Sequence, residues 1–322
     1  MPIGLGLAAS HNGFVITKTA EGWQKYYEVL IRDTPQPASA ALETETVLED
    51  YIRRVDAAFA QLREQIRQYD PELLIIIGGD QSETFDRANV PNLMMFLGEE
   101  MWGHSTRMGQ EPSEETEVHL KVDVETSERL LDQLVTREGF DIAFSALQRP
   151  LGSAARTGRN MSHAFSRPVP FLIQRADLPM VLIYENTYDP PSLSATRCYE
   201  LGQALARLLK DDPRRIAIFG SGGLSHDPGG PRSGWVDEPL DRWVLDQFAR
   251  GNGAATRDLY RFDSLTMRSG TGEIRAWITV AGAMEDARAR AEVVEYIPAN
   301  HAVTGLGFAY WKAEPALAGV GS

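Results

Sequence analysis

With 322 residues, 43% apolar and 24% charged, the chain has the make-up of a globular protein large enough for one big core or two smaller ones. A formal charge of −13 argues against a nucleic-acid or anionic-membrane surface, though not against a local basic pocket. The single cysteine, Cys198, excludes an internal disulfide framework and a cysteine metal cluster and fits a reducing cytoplasm.

The first ten residues, MPIGLGLAAS, have no basic region ahead of an apolar run, so no signal peptide is expected. Residues 3–9 are short, apolar and Gly-rich and predict a first strand, followed at once by Ser10-His11-Asn12-Gly13. Residues 44–69 predict a long amphipathic helix, with Val47, Tyr51, Val55, Ala58, Leu62 and Ile66 at helical spacing and Asp70-Pro71 as its stop. Residues 73–77, LLIII, predict a buried strand that runs into Gly78-Gly79-Asp80-Gln81-Ser82-Glu83. A further strand is expected over 90–97, and a loop or lid with little regular structure over 98–118. His104 and His119 are read as loop and solvated residues. The alternation of Val118, Leu120 and Val122 predicts an edge strand over 117–122.

A helix over 125–138 and a strand over 140–147 come next, then a Gly- and Arg-rich surface loop over 149–159 and the sequence NMSHAF at 160–165. An apolar strand at 180–184 ends in Glu185-Asn186, and a helix spans 194–209. Residues 216–219 form the central apolar run, ending in Gly220-Ser221-Gly222-Gly223, where the backbone can turn sharply and approach a ligand, with His226 three residues further on. Helices over 240–250 and 274–283, the second started by Thr271-Gly272-Glu273, precede short strands at 295–298 and 305–311. Residues 312–322 are Ala/Gly-rich and read as a frayed tail behind a single domain of residues 1–311. Strands alternating with helices indicate an α/β layered fold with a mostly parallel central sheet flanked by helices.

His11, Gln81, Glu185 and His226 all lie just past a candidate buried strand. In a parallel sheet those ends share one edge, so residues distant in sequence can meet there. Two neutral imidazoles and a carboxylate make a facial site for Fe(II) with open positions. The same set can hold Zn(II) for hydrolysis, and spacing does not choose between them. HExxH, GxSxG, Walker A and strand-following GxGxxG motifs are absent.

The order of the segments SH at 10–11, IIIGGDQSETF at 75–85, SHAFSRPVPFL at 162–172, NTYDPPSLSATRCYELG at 186–202, SGGLSHD at 221–227, VDEPLDRWVL at 236–245, SGTGEIRAWITVAGAM at 269–284 and GLGFAYW at 305–311 resembles the class III extradiol ring-cleavage dioxygenases. This is the superfamily of the protocatechuate 4,5-dioxygenase catalytic subunit, and the chain is most similar to its methylgallate branch. The resemblance implies a single non-heme Fe(II), a catechol or gallate-type substrate that chelates it through both hydroxyls, and O2 inserted beside the diol. It implies His11 and Glu273 as metal ligands, which moves the carboxylate role from Glu185 to Glu273. It also implies His226 as the acid/base and His163 as a second pocket histidine that hydrogen-bonds substrate or bound oxygen.

Gln81 is the departure, because many members place a second histidine ligand there. An amide oxygen is a weaker donor to Fe(II) than an imidazole nitrogen. Either Gln81 ligates weakly, or Asp80 or Glu83 replaces it, or the metal site has degenerated. A substrate carboxylate would pair with Arg149, Arg156 or Arg159, each of which also reads as part of a solvated basic loop. Two other classes remain beside the dioxygenase. One is a Zn(II) or metal-free hydrolase or lyase in the same pocket. The other is a non-catalytic partner subunit. The expected assembly is a homodimer or a complex with a small partner subunit, with no nucleic acid and no membrane.

Overall fold

The computed structural model describes residues 3–107, 110–148, 161–262 and 264–313. The chain opens with β1 (Ile3–Ala9), α1 (Ala20–Ile31), α2 (Glu45–Tyr69) and β2 (Leu73–Gly78). Then come β3 (Leu93–Phe96), β4 (Glu100–His104), β5 (Glu117–Lys121), α3 (Val124–Thr136) and β6 (Ala143–Ser145). Two short helices, α4 (His163–Ser166) and α5 (Val169–Leu172), precede β7 (Met180–Glu185), α6 (Ala195–Leu208), β8 (Ile216–Ser221) and α7 (Glu238–Ala249). The last elements are α8 (Ile274–Ala283), β9 (Ala291–Ala299) and β10 (Thr304–Lys312).

Among the described residues, eight strands form one sheet in the order β6-β3-β7-β2-β8-β1-β10-β9. The four apolar runs make its centre: β7, β2, β8 and β1 are mutually parallel. Strands fully buried on both faces read as unbroken Ile/Leu/Val runs, as LLIIIG does here. Alternate residues of each central strand enter different cores. Leu5, Leu7, Leu74 and Ile76 pack with Val55, Phe59 and Leu62 of α2. Ile75, Ile77, Ile183 and Ile218 pack with Leu201 and Leu205 of α6 and Trp277 and Ile278 of α8. All ten residues of α8 are buried, so this helix lies inside the protein and its start is held firmly against the sheet.

The helix expected over 44–69 forms as α2, and the one over 274–283 as α8. The segment 98–118 is more regular than expected. It contains β4, which pairs antiparallel with β5 outside the main sheet. Met101, Val118 and Leu120 turn one face of this hairpin into the core, while Trp102 and His119 stack on its outer face. The strand expected over 140–147 shrinks to three residues on the sheet edge. Helix α1, capped by Thr19 and anchored by buried Trp23 and Tyr27, has no counterpart among the expected elements. Residues 314–322, most of the predicted tail, lie outside the described residues, as do Arg149, Arg156 and Arg159.

Candidate active site

The parallel register brings the site together. Ala9 of β1 pairs with Ser221 of β8, and Ser221 pairs in turn with Gly78 of β2. Residues two to five positions beyond that line therefore gather at one sheet edge: His11 after β1, Gln81 after β2, Gly223 and His226 after β8. Glu273 arrives from the other direction, at the start of α8. Its seat depends on missing side chains in β8 and the turn after it. A Cβ on Gly220 would lie 2.7 Å from the Ala276 carbonyl oxygen, and one on Gly222 would lie 2.8 Å from the Glu273 Cβ.

Three imidazoles line this edge, and each has its Nδ1 committed. The Ser221 hydroxyl donates its one proton to the Ala164 carbonyl, so its oxygen accepts from His11 Nδ1–H at 2.9 Å. His226 Nδ1 donates to the Leu224 carbonyl at 2.8 Å. His163 Nδ1 donates to Glu83 Oε1 at 2.7 Å. Each Nδ1–H is thereby committed, which turns every Nε2 toward the cavity side of its ring. His11 Nε2 lies 3.5 Å from Glu273 Oε1, and His226 Nε2 lies 3.7 Å from Glu273 Oε2 and 3.4 Å from the Tyr188 hydroxyl. The His163 ring meets the His11 ring edge-on at 4.8 Å.

Glu273 is fully buried, which opposes its ionisation. His11, His226 and the Gly223 N–H, which donates to Oε2 at 2.7 Å, nonetheless hold its carboxyl well below the usual range. Burial also pushes the His163 imidazole down to about 4, against the pull of Glu83 and with the help of Arg167. His163 is thus neutral at ordinary pH, and the hydrogen bonds from its Nδ1–H and backbone N–H, with the Arg167 charge, hold the Glu83 carboxyl low against burial.

The two residues offered in place of Gln81 both have other partners. Asp80 accepts the backbone N–H groups of Glu83, Thr84 and Phe85, so it ties the loop after β2. Glu83 Oε1 takes the Nδ1 of His163, while its Oε2 has no hydrogen-bond partner among the described residues. Gln81 does reach the cluster, donating Nε2 to Glu273 Oε1 at 3.0 Å. Glu185 is a correction: it lies at the end of β7 but enters the core, where it meets the Thr279 hydroxyl of α8 rather than the histidines. His104 and His119 stay on the β4–β5 hairpin, bonded to Thr116 and to Glu100.

Among the described residues, no three His, Cys, Asp or Glu side chains are arranged to hold a metal ion. The donors fit a divalent metal only as a set of one imidazole, one carboxylate and one amide. His11 Nε2 and the Glu273 carboxylate are free to ligate, and a half-turn of the Gln81 amide would present its oxygen instead of its nitrogen. A cavity of about 250 Å3 opens onto this cluster, bounded by Phe14, Tyr26, Gln81, His163, Arg167 and His226 among others. Since a cavity of roughly 150 Å3 already takes benzene, one substituted aromatic ring fits. Arg167, Ser221, Tyr188 and Glu83 in its pairing role were not anticipated from sequence. Only Arg167 carried a signal, four residues after His163 and so on the same side of a helical turn.

The family model described as the catalytic LigB subunit of aromatic ring-opening dioxygenase matches residues 37–307. A 2,3-dihydroxyphenylpropionate/2,3-dihydroxicinnamic acid 1,2-dioxygenase from Photorhabdus laumondii is 29% identical over 198 residues, 61% of this chain and 55% of that protein. The protein of the same name from Klebsiella pneumoniae is 27% identical over 205 residues, 63% of this chain and 58% of its own length. The chain thus spans a little over half the length of the curated relatives it matches. Among solved structures, the uncharacterized protein JW3007 from Escherichia coli K12 aligns with a TM-score of 0.45 and 12% identity, over 95% of this chain and 99% of that one.

Proposed function

The chain belongs to the family of catalytic LigB subunits of aromatic ring-opening dioxygenases, and on that premise we propose that it is an extradiol dioxygenase that inserts O2 beside the diol of a catechol or gallate-type ring. The proposed cofactor is Fe(II), held by His11, Glu273 and the Gln81 amide oxygen. When bound, such an ion acidifies the hydroxyls of a chelating diol and offers O2 a redox partner. The observation that carries the proposal is the convergence of three imidazoles, each with Nδ1 tied, on a ring-sized cavity, with the Glu273 carboxylate beside two of them.

The protein's own part follows from those tautomers. His226 Nε2 accepts a proton from a substrate hydroxyl and later returns it to the departing oxygen, with the Leu224 carbonyl steadying the imidazolium through Nδ1–H. His163 Nε2 accepts a hydrogen bond from the substrate, and Glu83 holds that ring in orientation. Phe14, Leu30 and Val303 keep the apolar side of the cavity dry.

Metal analysis of anaerobically purified protein, with oxygen uptake on catechols and gallates, tests the proposal. About one iron per chain and consumption of O2 with a yellow ring-fission product are expected. Zinc with no O2 uptake would favour the hydrolase or lyase, and no metal at all the non-catalytic subunit. His226→Phe is expected to abolish turnover with metal content unchanged; surviving turnover would remove His226 from the acid/base role.

A further inference from the structure

Two arginines are buried among the described residues, and they are treated differently. Arg275 donates Nε to the Leu193 carbonyl at 2.6 Å and Nη1 to the Gly272 carbonyl at 3.2 Å, and its guanidinium stacks on Tyr260 at 3.7 Å. Arg167 is 8% exposed, yet its guanidinium has no ion-pair or hydrogen-bond partner among the described residues. Its backbone N–H bonds the His163 carbonyl at 3.1 Å, and both side chains border the same cavity. Among the described residues no other Lys or Arg borders that cavity. Glu83 lies close enough to feel the Arg167 charge, but it is beyond ion-pair reach and already paired with His163 at 2.7 Å.

A buried guanidinium whose five donors meet no partner among the described residues is costly unless an oxyanion meets it. Placed at the wall of a ring-sized cavity, in a chain of formal charge −13, it gives that wall a local positive charge that an anionic ligand can meet. We propose that Arg167 is the specificity-determining anchor for a carboxylate borne by the aromatic ring, so that the cavity selects carboxylated over neutral diols. The proposal rests on the ring-cleavage reading for its substrate class, but the anion site itself does not need turnover.

The test is equilibrium binding to the full-length protein under anaerobic conditions, comparing 3,4-dihydroxybenzoate with its neutral isostere 3,4-dihydroxybenzamide. Oxygen uptake with each compound is measured in parallel. A charge-assisted, two-pronged bond predicts an acid-over-amide preference of about ten- to a hundredfold. Arg167→Gln is expected to bring that ratio close to one, and Arg167→Lys to keep part of it. A wild-type ratio near one overturns the proposal whatever the stability of the variants. An undiminished ratio in folded Arg167→Gln overturns it too, as does a loss in that variant that falls equally on acid and amide and leaves their ratio unchanged. Absence of oxygen uptake with the ratio intact would remove the ring-cleavage reading and leave the anion anchor standing.

Discussion

Glu185 offers a measurement in which the structure sets both sign and size. The Thr279 hydroxyl has one proton and two acceptors in reach, Glu185 and the Cys198 carbonyl at 3.1 Å. The pair is satisfied when Glu185 itself carries a proton, donates it to Thr279, and Thr279 donates on to Cys198. Burial accordingly pushes the Glu185 carboxyl from 4.5 up to about 7, against Thr279 and Arg275. In the unfolded chain the group ionises near 4.5; in the folded protein it stays protonated to about 7. Stability from this group is therefore complete below pH 4.5 and falls as pH rises toward 7, by about 3 kcal/mol. Glu185→Gln places an N–H where the acid proton was and cannot ionise. Urea unfolding of both proteins between pH 4.5 and pH 8 should show the variant gaining about 3 kcal/mol relative to wild type across that range. A difference that stays flat with pH would refute the protonated core carboxyl and the hydrogen-bond chain assigned to it.

Gln81→His should raise metal affinity by about tenfold or more, read by competition with a chelator, because an imidazole replaces an amide in the donor set; unchanged affinity would place residue 81 outside the coordination sphere. Glu83→Gln removes the charge that orients His163, and a fall in kcat of about ten- to a hundredfold is expected with metal content unchanged. Gly270→Ala would drive a methyl group into the His226 ring, so turnover should be lost while the thermal midpoint and metal content hold; retained activity would show that His226 can work from a displaced position.

The parallel core was legible because strands buried on both faces must be apolar throughout, as LLIIIG and IAIFGS are. Helix α2 was legible from its 3.6-residue stripe, and His11, Gln81 and His226 from their places just past strand ends. Glu273 and His163 became candidates only through family resemblance, since neither follows a strand. Strand β5 was legible from the alternation of Val118 and Leu120, but its partner β4 was hidden because Met101 stands among polar residues with no repeat to mark a strand. Glu185 obeys the strand-end rule and still misses the site, because the strand-end position does not decide whether a side chain enters the core or the cleft.

By itself, then, the sequence determined a layered α/β protein and which polar residues sit at strand ends, because periodicity and apolar runs are local properties. Only the tertiary structure decided that Ser221 and Leu224 hold the Nδ1 atoms of His11 and His226, that Glu83 serves His163, and that Arg167 stands without a partner among the described residues. Pairings between residues that are 80 to 210 positions apart, such as Glu83–His163 and His11–Ser221, exist only once the strands are in register, and no local pattern encodes them.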